Sequence, residues 1–230
     1  MNVISFDIGG DFALFKKSYT TTSPLTFSFP PRTAILGIIG AIVGIDRTEL
    51  PSRSTPENVQ VTSQILNPVQ KMQMAINHLN TKSNAHGRTQ INHEFIKNPK
   101  YRIYVHTEDV DLDEKLNGYL NHGKTHFIPY LGQQQCLATI SNYHKRKAIE
   151  KKSSDYIPIV SVVRKPVIKS LDITDQRIKD ENNMPHYIGE KRSPMAFDSY
   201  LFEETGKEMN VRLVEEASYV QVEDENILWM

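Results

Sequence analysis

The fold of this chain is decided by one stretch, Ser23-Pro24-Leu25-Thr26-Phe27-Ser28-Phe29-Pro30-Pro31-Arg32-Thr33-Ala34-Ile35-Leu36-Gly37-Ile38-Ile39-Gly40-Ala41-Ile42-Val43-Gly44. Its prolines fix φ and turn the residues before them away from helix, so the first part is predicted to be extended. From Arg32 to Ile45 apolar residues lie nearly all round a helical cycle, which predicts a buried helix. Three glycines fall on one face of that helix, and each costs about 1 kcal/mol of helix propensity. We therefore expect the helix to pack very closely against a sheet.

Strands are predicted on both sides of this helix. Residues 1–20 carry β-branched and aromatic residues around a glycine turn, and residues 58–77 alternate between apolar and polar. Further strands are predicted at 101–106 and 136–141, with an amphipathic helix over 109–120 between them. The order strand, helix, strand, strand, helix, strand matches the ferredoxin-like motif, which also carries a common RNA-recognition module.

Two polar segments interrupt the β-like runs. Residues 78–93 are predicted to be a long hairpin tip or mobile loop, and residues 175–194 to be irregular. Strands are predicted again at 156–168, 195–201 and 211–222. The predicted fold class is therefore α+β. It has a ferredoxin-like (RNA-recognition-motif-like) domain over residues 1–145, a β-hairpin thumb insertion at about 78–93, and a smaller β-rich C-terminal region over 146–230.

Composition restricts the function classes. The chain has 230 residues, a formal net charge of +0 and one cysteine, Cys136. It has no apolar run long enough to span a membrane, no leader-like N-terminus and too few thiols for a disulfide framework, which favours a cytoplasmic protein. Charge is separated along the chain: residues 143–169 carry eight Lys/Arg, and residues 198–226 carry nine acids. Any nucleic-acid contact is therefore expected to be local and shared with partner subunits.

Three segments carry a family resemblance. The first is the stretch at 23–44; the second is Arg88-Thr89-Gln90-Ile91 with Glu94-Phe95 and Pro99-Lys100-Tyr101-Arg102-Ile103; the third is Pro129-Tyr130-Leu131-Gly132. Together they resemble the CRISPR-associated Cas-five family, the subunit that caps the guide RNA in type I Cascade complexes, and are most similar to its I-B branch.

This resemblance implies a non-catalytic subunit in CRISPR antiviral defence that binds the 5′ handle of the crRNA through a fold with a β-hairpin thumb. It implies two protein partners, the repeated backbone (Cas-seven) subunit and the large (Cas-eight) subunit that reads the protospacer-adjacent motif. Target DNA is at most an indirect contact, and no membrane or cofactor is implied. In most subtypes a separate Cas-six nuclease matures the RNA, whereas in subtype I-C the Cas-five member cuts it.

Candidate RNA-binding residues are cations, amides and aromatics placed where a single strand can be held. The cations are expected to contact phosphates, and a glutamine can hydrogen-bond to a base edge. Arg32 lies in the first turn of the glycine-rich helix, where free backbone N–H groups also attract an anion such as phosphate. The alternative for each is ordinary surface charge, a hydrophilic loop or a plain turn glycine. The predicted set is Lys16, Lys17, Tyr19, Arg32, Lys82, His86, Arg88, Gln90, Gly132, Gln133, Lys145 and Arg146.

The alternative function is a metal-independent endoribonuclease that processes pre-crRNA. Such cleavage needs a base, an acid and a cation, and the candidates are His86, His93, Lys82 and Tyr101. The eight histidines are scattered, and the Tyr/Lys/His set of the cutting subtype does not map onto this chain. The acidic run at 109–114 lacks the spacing of a calcium loop and is better explained as a helix N-terminus, so no metal site is predicted. A purely structural protein would leave the polar thumb unexplained.

Overall fold

A central antiparallel sheet organises the chain. The protein is described here by a computed structural model, which covers residues 1–79, 87–189 and 193–230. The elements up to the middle of the chain are β1 (Asn2–Gly9), β2 (Phe12–Ala13), α1 (Arg32–Val43), α2 (Leu50–Arg53), β3 (Val59–Ile65), β4 (Lys71–Leu79), β5 (Arg88–Lys97), β6 (Lys100–Thr107), α3 (Val110–Asn121) and β7 (Thr139–Lys151). They are followed by β8 (Ile157–Ile159), β9 (Val163–Arg164), β10 (Ile168–Asp172), β11 (Ile178–Ile188), β12 (Pro194–Glu203), β13 (Met209–Leu213), β14 (Tyr219–Val222) and β15 (Glu225–Ile227).

Within the described residues the central sheet has six strands in the order β15-β14-β7-β1-β6-β3. The pairs β1–β6, β1–β7 and β3–β6 are all antiparallel. Helices α1 and α3 cover one face, where Phe6, Ile103, Ile39 and Leu116 belong to one continuous core. Apolar burial of this kind is the main stabilising contribution in a domain of this size.

Residues 160–162 tie the two edges of this sheet together. The amide of Val160 donates to Asn226 O of β15 (3.0 Å), and the amide of Val162 donates to Ser63 O of β3 (2.9 Å). Between them, Ser161 Oγ accepts from the amide of Leu228 at 2.9 Å. The sheet is therefore curled, and each of its edge strands is bonded in part by a segment of the same chain.

The face of the sheet opposite the helices is enclosed by this curl. Val3 and Tyr104 pack there against Val220 and Ile227 of the C-terminal strands. The Tyr104 hydroxyl lies 2.9 Å from Gln64 Oε1 and 2.7 Å from Glu225 Oε2, so even its polar group is satisfied internally. Burial raises the pKa of Tyr104 well above its usual range.

The β4–β5 hairpin forms a separate sheet in the order β2-β5-β4. Its base is held by Glu181, a buried carboxylate on β11. Glu181 Oε1 accepts from the amide and hydroxyl of Ser28 (3.0 and 2.7 Å) and lies 3.5 Å from Lys71 Nζ on β4. Glu181 Oε2 lies 2.6 Å from Lys17 Nζ. One carboxylate thus joins the N-terminal extended segment, the hairpin and the C-terminal strands.

Arg32 fixes the start of α1. Its side chain is fully buried, and its guanidinium donates to four backbone carbonyls. The acceptors are His186 O (3.1 Å), Ser54 O (3.1 Å), Thr55 O (3.0 Å) and Val59 O (2.7 Å). Burial lowers the pKa of Arg32 to about 10, and the guanidinium stays charged at neutral pH.

The predicted helices and most predicted strands are present. Helices expected over 32–45 and 109–120 appear as Arg32–Val43 and Val110–Asn121. The strand expected at 136–141 begins only at Thr139, because the amide of Cys136 donates to Gln133 O in a turn. No helix in the described residues is long and apolar enough to cross a membrane.

Three expectations need correction. Where it is described, the segment 175–194 is largely strand rather than irregular: β11 occupies Ile178–Ile188, with Asn183 at φ 54 where the register shifts, and it buries Glu181, Met184 and His186. The thumb segment 78–93 is largely strand where it is described, since β4 reaches Leu79 and β5 starts at Arg88. The boundary expected between residues 145 and 146 lies inside β7, and β14 and β15 complete the sheet of the N-terminal part.

Arg32 supplies the first testable prediction. Arg32→Lys keeps the charge but loses the planar fork that reaches four carbonyls, so we expect the free energy of unfolding to fall by about 3 kcal/mol. Urea unfolding measures it. The matched control is Arg53→Lys, whose half-exposed guanidinium pairs with Asp109 and Asp111 and should cost less than about 1 kcal/mol. Equal losses in both variants would contradict the structural role of Arg32.

His186 makes the fold sensitive to acid. Its Nδ1 lies 3.2 Å from the Tyr200 hydroxyl, and burial, with the nearby charges of Arg32 and Arg164, lowers its pKa to about 4. A lowered histidine pKa means that stability is fully present above about pH 6.5 and is lost as pH falls toward 4. Between pH 7 and pH 5 the wild type should lose about 2 kcal/mol more of its unfolding free energy than His186→Asn, as urea unfolding at each pH would report. Parallel pH profiles would show that His186 is not responsible.

Candidate nucleic-acid interface

An open groove runs along the exposed side of α1. Its volume is about 660 Å³, and Gly37 on its floor has open space where a side chain would project. The opposite wall is the segment after α3, where Phe127, Ile128 and Tyr130 are 53%, 71% and 44% exposed. A contiguous patch of exposed apolar side chains indicates an interaction site, whereas single exposed apolar residues are common on any surface.

The wall is held in place by the end of α1. The amides of His126 and Phe127 donate to Ile42 O and Ala41 O at 2.9 and 2.8 Å. The His126 ring packs against Gly44, where a Cβ would lie 2.7 Å from the ring. The carbonyls that a helix leaves unsatisfied at its C-terminus thus anchor the aromatic wall.

Two cations line the groove, Lys16 and Arg47. Both are exposed. Asp46 also lines the groove, and the amide and hydroxyl of Thr48 donate to its carboxylate at 2.8 and 2.6 Å. These bonds lower the pKa of Asp46, so the groove carries one anion beside its two cations. Exposed rings and cations are the two elements that hold single-stranded nucleic acid.

Gly132, at the rim of the groove, is required by the packing of the protein itself. Its φ is +86°, and a Cβ there would lie 2.1 Å from Leu14 O. Gly132 was predicted as an RNA-binding residue, but the absence of a side chain there is explained by a close contact between two chain segments. Gln133 is half-buried, and its Oε1 has no hydrogen-bond partner among the described residues.

The β4–β5 hairpin has two different faces. Arg88 and Gln90 are exposed and share the polar face with Asn77 and Asn92, as the register Asn77↔Gln90 requires. Met72, Met74, Ile76 and Phe95 lie on the other, apolar face and pack at least partly against the main core. The predicted residues Lys82 and His86 lie outside the described residues.

The residues proposed for the nuclease alternative do not form an accessible acid–base set where they are described. Tyr101 is 1% exposed and its hydroxyl donates to Ser28 O at 3.0 Å; burial raises its pKa far above the usual range. His93 is 6% exposed, and its Nε2 lies 3.1 Å from His78 Nε2. Burial, and then the charges of His78 and Lys16, lower the pKa of His93. Both candidate residues are therefore buried in the protein and do not present their polar groups at its surface.

Four further predicted RNA contacts have partners within the chain. The Arg32 guanidinium donates its hydrogen bonds to backbone carbonyls. Lys17 forms an ion pair with Glu181, and its Nζ lies 5.1 Å from the centre of the Phe27 ring. Burial lowers the pKa of Lys17, but the Glu181 carboxylate outweighs it and the pKa is raised. Lys145 pairs with Asp113, and Arg146 Nε lies 2.8 Å from Glu223. The predicted residue Tyr19 is exposed, at 58%.

The groove brings together only part of the predicted set. Lys16 and Gly132 line it, whereas Arg88 and Gln90 lie on the hairpin. Sequence reasoning missed Arg47, Phe127, Ile128 and the aromatic role of Tyr130. The available signal was the run Phe127-Ile128-Pro129-Tyr130, which is apolar but has neither helical nor strand periodicity. No group of three or more potential metal-ligating side chains occurs in the part of the chain that the structure describes.

Comparison with known proteins gives a consistent result. The sequence model of a family described as CRISPR-associated protein (Cas_Cas5) matches residues 3–196. A CRISPR protein from Archaeoglobus fulgidus superposes with a TM-score of 0.61 at 15% identity, over 99% of this chain and 98% of that one. A chain of a CRISPR RNA-guided surveillance complex superposes with a TM-score of 0.55 at 10% identity, over 92% and 91%. At these identities the two structures show a shared fold. No curated protein sequence matches the chain.

Two glycines of the groove should respond oppositely to alanine. Gly132→Ala forces a Cβ into Leu14 O at positive φ and should lower the unfolding free energy by more than about 2 kcal/mol. Gly37→Ala adds a methyl group into open space on a helix and should raise it by about 0.5–1 kcal/mol. Urea unfolding of both variants tests this, and stabilisation by Gly132→Ala would refute the close contact.

Proposed function

Since the chain belongs to the CRISPR-associated Cas5 family, whose sequence model spans residues 3–196, we propose that it is a non-catalytic RNA-binding subunit of a CRISPR ribonucleoprotein. Its ligand in this proposal is the 5′ handle of the guide RNA in a type I Cascade complex of the I-B kind. Its protein partners are the backbone subunit and the large subunit, and the setting is antiviral defence.

The proposal includes a ferredoxin-like core. The strands β7-β1-β6-β3 lie side by side, α1 connects β1 to β3 and α3 connects β6 to β7. In chain order this is the fourth, first, third and second strand of a βαββαβ unit, which is the ferredoxin-like arrangement. The β4–β5 hairpin is inserted between the second and third strands, where a thumb would emerge.

The observation that carries the RNA-binding proposal is the groove with Lys16 and Arg47 beside exposed Phe127 and Tyr130. Cations contact phosphates and aromatic rings stack on bases, so the pair suits an unpaired strand. The sheet face that RNA-recognition modules offer to bases is enclosed here, because Tyr104 is buried beneath the C-terminal strands. An RNA strand is thereby directed to the helix side.

The hairpin provides a second contact in this proposal. Arg88 adds a cation, and Gln90, Asn77 and Asn92 add amides that read base edges. The amides carry no charge, and the chain as a whole has a net charge of +0. The chain alone therefore contributes few phosphate contacts, and tight binding depends on partners that supply more.

A non-catalytic role is supported by the state of His93. Its Nε2 is engaged with His78 and the residue is buried, so it has no free route to a ribose hydroxyl. General acid–base catalysis needs a group within hydrogen-bond reach of the substrate proton. Tyr101 is equally inaccessible.

The test is RNA binding by a groove variant. In Lys16→Ala/Arg47→Ala we expect affinity for the full repeat RNA to fall about tenfold or more, and the slope of log K against log salt to fall by about 1.4, because two phosphate contacts are lost. Fluorescence anisotropy at several salt concentrations measures both. The matched control is Lys169→Ala/Lys207→Ala, which removes two exposed lysines that do not line the groove and should change neither.

The same samples test catalysis. Incubation with repeat RNA in EDTA should leave the RNA intact. Cleavage at one site that is lost in His93→Ala would replace the proposed role by the nuclease. Equal RNA affinity in the groove variant and the control would remove the groove from the binding site.

A further inference from the structure

One long strand edge stays unpaired in the described part of the molecule. In the sheet β2-β5-β4, the strand β4 pairs with β5 alone, so its other edge runs free along Lys71–Leu79. A row of unpaired N–H and C=O groups is a template for another strand. The two edge strands of the central sheet, by contrast, are each bonded to the segment 160–162.

The register shows which groups point outward. The amide of Lys97 donates to Gln70 O at 2.8 Å, so the backbone N–H and C=O groups of Gln70 point toward β5. Backbone direction alternates along an antiparallel strand. Met72, Met74 and Ile76 therefore also face β5. The odd-numbered residues between them, Gln73, Ala75 and Asn77, direct their N–H and C=O groups to the free edge.

This edge lacks the devices that normally protect one. Natural edge strands carry charged side chains, prolines or bulges. From Met72 to Leu79 there is no Lys, Arg, Asp, Glu or Pro. The register from Lys71↔Ile96 to Leu79↔Arg88 runs without a shift. Lys71 does not guard the edge either, because its Nζ donates to Thr26 O at 2.9 Å and lies 3.5 Å from Glu181.

We propose that the free edge of β4 pairs with an extended strand of a second protein subunit, which is β-strand addition. The chemistry of the edge selects this occupant. Its alternating outward N–H and C=O groups match the ladder of another extended backbone, and from Met72 to Leu79 it has no cationic side chain to pair with the phosphates of RNA. The inference rests on the proposed function only in taking the second subunit to belong to the same ribonucleoprotein. It divides the hairpin into a polar face for RNA and an edge for protein.

Hydrogen exchange gives a residue-by-residue test. The full chain is compared alone and in the assembly purified through a tag on it, with amide-resolved fragmentation. In the chain alone, the amides of Met74 and Ile76 should be slow and those of Gln73, Ala75 and Asn77 fast. In the assembly all five should be slow, with the three odd-numbered amides slowed about 100-fold or more.

A matched pair of variants tests the edge directly. Ala75→Pro removes an outward N–H without touching the β4–β5 ladder, and Ala75→Val keeps that N–H on an equally exposed site. Ala75→Pro should lower the yield of copurified subunits about tenfold, while Ala75→Val leaves it unchanged. Slow exchange at Met74 and Ile76 in Ala75→Pro confirms that the hairpin is intact.

The outcomes separate the two proposals. If RNA and other subunits copurify but the odd-numbered amides stay fast, the edge inference fails and the RNA-binding role stands. If neither RNA nor other subunits copurify, both fail. If the odd-numbered amides become slow in the chain alone as its concentration rises, the occupant is a second copy of this chain, and pairing with a different subunit is overturned.

Discussion

Four backbone carbonyls converge on the buried guanidinium of Arg32, and the position of α1 depends on them. A charge removed from water is tolerated only when oriented dipoles replace its hydration, and here these come from residues 54–59 and from His186 on β11. The same helix supplies the floor of the groove, and its C-terminal carbonyls hold the aromatic wall at Phe127. The shape of the candidate RNA site thus depends on Arg32, because this buried cation at the N-terminal end of α1 fixes the helix that forms the groove.

The curl of the central sheet decides which surfaces are left for partners. Residues 160–162 join β3 to β15, and this closes the face on which Tyr104 lies. What stays accessible is the helix side and the hairpin. This face of the sheet is therefore part of the core, and in the proposed function RNA binding is left to the groove and the β4–β5 hairpin. A single carboxylate, Glu181, sets how that insertion leaves the body of the protein.

Much of the fold follows from local sequence, because its elements carry their own periodicity. The glycine-rich helix at 32–43 and the amphipathic helix at 110–121 are examples. Strand β11 was missed because its inward residues are Glu181, Met184 and His186, so that tertiary contacts rather than apolar alternation define it. The site is harder to predict: Arg32, Lys17 and Lys145 look like free cations in the sequence, and only the folded chain shows the carbonyls and carboxylates that occupy them. The apolar run at 127–130 marks an exposed wall only once α1 is placed beside it.

The closing of the sheet by C-terminal segments has a consequence for biosynthesis. Strand β7 pairs with β14, the amide of Met230 donates to Val61 O on β3, and Leu228 contacts Ser161. Contacts that span more than 160 residues are slow to form and cannot form before the last of those residues leaves the ribosome. The bond from Met230 to β3 therefore forms only after the N-terminal core and the segment 160–162 have been synthesised.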